Sequence, residues 1–78
     1  MTKPQAEIIM GLAANGLNIS RTAKATYRHR NTVCAHIRNI KECTGKNPTD
    51  FYDMIELEKE ARQVLGYAVQ QEEMNRHG

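Results

Sequence analysis

A chain of 78 residues, 40% hydrophobic and 26% charged, has room for one small domain and for no second module of ordinary size. With one Phe, three Tyr and no Trp it is apolar enough to fold, yet a domain this short buries only about 60% of its unfolded surface. That disfavours a deep enclosed active site and argues against an enzyme. The net charge of +2 is unevenly spread: residues 1–49 carry eight basic groups against Glu7 and Glu42, whereas residues 50–78 carry three basic and seven acidic ones. A polyanion would be drawn to the front half and repelled by the back half.

The longest apolar stretch, Ile8-Ile9-Met10-Gly11-Leu12-Ala13-Ala14, falls far short of the roughly 20 residues that cross a bilayer. No charged-then-apolar leader precedes it, so a soluble, cytoplasmic protein is expected. Cys34 and Cys43 are nine positions apart in what reads as one helix. At about 100° per residue they point to opposite sides, which predicts two free thiols in a reducing compartment.

Four helical segments account for nearly every residue, and no strand pattern interrupts them. Thr2 caps the first, Pro4 lies near its opening turn, Ile8, Ile9, Leu12 and Ala13 form its apolar face, and Asn15-Gly16 ends it. The second takes Ser20 as its cap and runs from Arg21 to Tyr27. The third begins between His29 and Asn31 and continues to Thr44, with Gly45 as a left-handed stop; Val33, Ile37, Ile40 and Thr44 make one buried stripe. Lys46-Asn47-Pro48-Thr49 is a loop. Asp50 then caps a fourth helix, with Asp53 adding a carboxylate to its first turn and Met54, Leu57, Ala61, Val64 and Ala68 as its apolar seam. Gly66 interrupts that helix, and Tyr67 to Gly78 either extend it or fray. The reading is an all-α bundle of four or five helices, a single domain over residues 1–78. A bihelical unit occupies 17–45, and a C-terminal helix over 50–76 is suited to dimerisation.

Two short helices joined by a tight connection, the second basic on its outer side, describe a helix-turn-helix. Removing the buried stripe from the third helix leaves Arg30, Asn31, Cys34, Ala35, Arg38 and Lys41 facing outward. Cys34 and Ala35 are small enough to let the backbone approach a duplex, while Arg30, Asn31 and Arg38 reach base edges or phosphates; arginine pairs bidentately with guanine and asparagine with adenine. Arg21, Lys24 and Lys46 are candidate phosphate contacts. Asn31 is as well suited to capping as to base contact, and Thr32 to capping or phosphate contact. Ala23 is small enough for the two helices to cross closely.

The run His29-Arg30-Asn31-Thr32-Val33, followed by Thr44-Gly45, Asn47-Pro48 and Phe51-Tyr52-Asp53, resembles the C-terminal helix-turn-helix of PucR-type regulators, the bacterial purine-catabolism and sugar-diacid activator group. The resemblance covers roughly residues 17 to 65. Thr32-Val33 with His36-Ile37 is more distantly similar to the LuxR-type signature. The resemblance implies a DNA-binding transcription regulator, with Arg30, Asn31 and Thr32 at the DNA and His36 where relatives tend to hold a basic residue. Relatives place apolar residues at the positions of Thr22, Thr26 and Arg28. Here all three are polar, so a thin bihelical core is expected, filled in part by threonine methyls and the arginine stem.

Other chemistry finds little footing. His29, His36, His77, Cys34 and Cys43 lack metal-ligand spacing, no catalytic pair is apparent, and no cofactor motif occurs. The expected partners are double-stranded DNA and a second copy of the chain, held through the C-terminal helix, with no membrane and no small-molecule site. The rival reading is a protein-interaction adaptor that keeps the helix-turn-helix shape without binding DNA. RNA binding is a weaker third, for want of an aromatic stacking platform.

Overall fold

The computed structural model describes residues 1–66, and every structural statement below concerns these. The first helix, α1 (Lys3–Ala14), opens with a reciprocal cap. Thr2 Oγ1 accepts from the Gln5 N–H at 3.3 Å, and Gln5 Oε1 accepts from the Thr2 N–H at 2.9 Å, so two amide donors at the helix start are satisfied at once. Ile8, Ile9 and Leu12 are fully buried, each stabilising the fold by about 1.5–3 kcal/mol. Two adjacent isoleucines can both be buried because α1 is surrounded: it touches all three other helices.

The second helix, α2 (Ile19–Ala25), starts earlier than its sequence suggests. The cap is Asn18, not Ser20: Asn18 Oδ1 accepts from the Arg21 N–H at 2.9 Å, and Ser20 is left exposed in the first turn. Capping at Asn18 places Ile19 in the helix, where it packs against the core. The helix also ends before Tyr27, which has a φ of +56°. There the Tyr27 N–H donates to the Lys24 carbonyl at 3.2 Å and the Arg28 N–H to the Ala23 carbonyl at 2.9 Å, the paired bonds of a Schellman helix end.

Thr22 and Thr26, from which a thin bihelical core is expected, meet α1 at close range. A Cβ placed on Gly11 would lie 2.9 Å from Thr22 Cγ2 and 3.1 Å from Thr26 Cγ2, so the bare glycine backbone lets the two threonine methyls reach α1. Their hydroxyls turn back into their own helix. Thr22 Oγ1 donates to the Asn18 carbonyl at 2.8 Å and Thr26 Oγ1 to the Thr22 carbonyl at 2.7 Å, which allows Thr22 to be wholly buried.

The third helix, α3 (Arg30–Thr44), buries Val33, Ile37 and Ile40 as its spacing predicts, and Gly45 closes it at a φ of +72°. Thr44, the fourth member of that stripe, is half-buried and donates its hydroxyl to the Ile40 carbonyl at 2.7 Å. The following loop is built from side-chain to backbone bonds around the buried Pro48. The Lys46 N–H donates to Thr44 Oγ1, the Thr49 N–H to Asn47 Oδ1, and the Asn47 N–H to Asp53 Oδ2.

Asp50 caps the fourth helix, α4 (Phe51–Leu65), accepting from the Asp53 N–H at 3.0 Å. Met54, Leu57 and Ala61 are buried, as the seam predicts. Val64 is not: it is exposed at one edge of the stripe, while Leu65 at the other edge packs against the core. The core therefore takes up the seam through Ala61. Ala68, with Tyr67 and Val69, lies outside the described residues. Among the described residues α4 runs to Leu65, with Gly66 as its C-cap, and the stretch expected to carry the C-terminal helix on to residue 76 lies outside them.

Candidate nucleic-acid interface

The outer side of α3 is organised by what the inner side requires. With Val33, Ile37 and Ile40 committed to the core, Asn31, Ala35, Arg38 and Glu42 fall at spacings of four, three and four along the opposite face, and all four are exposed. Arg30, Cys34 and Lys41 flank that row on one side; Arg30 and Lys41 are exposed and Cys34 is half-buried. Thr32, exposed, and His36, half-buried, lie on the other flank. Both cysteines are free thiols.

The start of α3 is held by His29. Its Nδ1 accepts the Asn31 N–H at 3.1 Å. The alternatives left open for Asn31 and Thr32 narrow accordingly. Neither supplies the cap, and among the described residues neither side chain makes a hydrogen bond. Asn31, in the first turn, presents a free amide outward.

Arg21 and Lys24 are exposed on α2, while Lys46 is half-buried in the loop beyond α3. A 15-residue helix is about 22 Å long, so Lys46 and Arg30 stand at opposite ends of the face and cannot serve one phosphate. From Ile19 to Thr44 there are six basic groups and one acidic, whereas α4 carries four acidic and two basic ones. The helix that carries this negative charge, α4, packs on α1 and not on α3.

Three features of this surface were not identified in the sequence. Glu42 ends the outward row with a carboxylate; extending the spacing from Asn31 and Arg38 locates it. Asn39 is an additional exposed amide beside that row. Arg28 in the turn is drawn to Glu7 on α1, its Nη2 3.7 Å from Oε2, and its Nη1 donates to the Thr26 carbonyl at 3.4 Å. No local signal pairs residues so far apart in the chain.

Two helices joined at a tight turn, braced by a third and presenting the outer side of the second to solvent, constitute a helix-turn-helix domain. The family model for the PucR C-terminal helix-turn-helix domain matches residues 7–62. The chain belongs to that family, and the match extends further toward the N-terminus than the resemblance read from the motifs, taking in α1 from Glu7 onward. No curated protein and no solved structure matches. Among the described residues, no helix is long and apolar enough to cross a membrane.

Proposed function

We propose that the chain is a cytoplasmic transcription regulator, bacterial or phage, that binds double-stranded DNA by laying α3, residues 30–44, in the major groove. The observation that carries this reading is the joint exposure of Arg30, Asn31 and Arg38 on a helix whose opposite stripe is buried. A groove about 12 Å wide admits such a helix, and the small Cys34 and Ala35 leave its middle slim enough to approach the base edges. In this reading Arg30 and Arg38 contact guanine or phosphate and Asn31 contacts adenine. Thr32, His36, Arg21, Lys24, Lys41 and Lys46 address the backbone.

One such unit reads only a few base pairs, so a twofold dimer through the C-terminal helix completes the proposal. Val64, the exposed member of the apolar seam, supports a contact there. Sedimentation of the intact chain is expected to give a dimer that weakens on truncation after Leu65. A monomer at high micromolar concentration would reject this part of the reading.

The test of DNA binding is a gel shift with random-sequence duplex at low and moderate salt. Retardation that fades steeply as salt rises is expected, because phosphate contacts release counterions. The adaptor reading is favoured by one observation, the exposed apolar side chains Phe51, Tyr52 and Ile55 at the start of α4. It predicts no retardation at either salt.

A further inference from the structure

Tyr27 occupies the position after α2 that a Schellman helix end ordinarily gives to glycine. At a φ of +56° its Cβ strains the backbone. Leu17, at +62° after α1, adopts a similar conformation, but its half-buried side chain packs against the core and offsets the strain. Tyr27 has no such return: it is 97% exposed, and among the described residues its ring stacks on no other and its hydroxyl makes no hydrogen bond. Cations stand on both sides of it in the chain, Lys24 on the last turn of α2 and Arg30 at the start of α3. A phenol hydroxyl donates well to a phosphate oxygen, and cations on both sides would draw the polyanion toward it.

We propose that Tyr27 is a further DNA contact, donating its hydroxyl to a backbone phosphate at the rim of the groove that α3 enters. The proposal rests on the DNA-binding reading above and extends it from the recognition helix to the turn. A phosphate contact carries no sequence information, so Tyr27 contributes affinity to any duplex. The same exposed ring would also suit a protein partner, and the test separates the two.

The experiment is a fluorescence-anisotropy titration of the full chain against a labelled random-sequence duplex at about 50 and 200 mM salt. The parent, Tyr27→Phe and Tyr27→Gly are compared, with the melting temperature of each. Both variants are expected to bind about fivefold more weakly than the parent, the loss of one hydrogen bond. Tyr27→Phe should melt with the parent, and Tyr27→Gly several degrees higher, because glycine takes the left-handed turn without strain. Weaker binding alongside unchanged or greater stability is a pattern that a merely structural tyrosine does not produce. Parent-like affinity in both variants overturns the contact and leaves the ring to a protein partner. Failure of the parent to bind overturns the DNA-binding reading itself, and this contact with it.

Discussion

Arg28 Nη2 lies 3.7 Å from Glu7 Oε2, joining the helix-turn-helix connection to α1. The side chains are 21% and 40% exposed, so solvent screens the pair and its contribution stays below about 1 kcal/mol. Arg28→Leu is expected to leave stability unchanged or raise it, because an apolar side chain suits this half-buried position and Glu7 can turn to water. A fall of more than about 1 kcal/mol in a urea titration would show the pair to be worth more than solvent screening allows.

Gly11→Ala sets a helix-propensity gain of about 1 kcal/mol against a clash. The clash should win. The nearest atom is Thr22 Cγ2 at 2.9 Å, on a fully buried side chain fixed by its hydroxyl bond to Asn18, so α1 and α2 must move apart. Net destabilisation of about 1–3 kcal/mol is expected in thermal or urea unfolding, and adding Thr22→Ser, which removes that methyl, should recover part of it. Equal losses in the single and double variants would show that the methyl is not what α1 meets.

His29 ties the stability of α3 to the presentation of its first residues. His29→Ala removes the acceptor for the Asn31 N–H and is expected to cost about 1 kcal/mol, while His29→Asn, a strong cap, should hold stability near the parent. Because the first turn carries Arg30 and Asn31, duplex affinity is expected to fall in the alanine variant as well. Circular dichroism melts and anisotropy on the same samples test both effects.

Arg30→Ala and Arg38→Ala are each expected to weaken binding to a selected site by about 1–3 kcal/mol with helical content unchanged. Lys46→Ala, at the far end of the face, should weaken all duplexes alike and lower the salt slope by about one. Parent-like affinity in both arginine variants would reject the groove assignment.

Much of the fold was legible in single stretches of sequence, because helices and their ends are decided by groups within about four residues of one another. The Thr2 cap, the stripe Val33, Ile37 and Ile40, the Gly45 stop and the Asp50 cap all follow from such spacing, and so does the outward set that includes Arg30, Asn31 and Arg38. Near helix starts the same local logic was less secure, since Asn18, Ser20, His29, Asn31 and Thr32 all carry cap-competent side chains.

Tertiary packing decided among them. Ile19 belongs against the core, so the cap of α2 moved to Asn18. The seam of α4 needed α1 as its partner, which turned Met54, Leu57 and Ala61 inward and left Val64 outside. The bare backbone of Gly11 under two threonine methyls, and the ion pair between Glu7 and Arg28, depend on how closely helices cross once the chain has closed. Local hydrogen bonding sets where a helix runs and which face is apolar; only the mutual burial of those faces determines which neighbour each one meets.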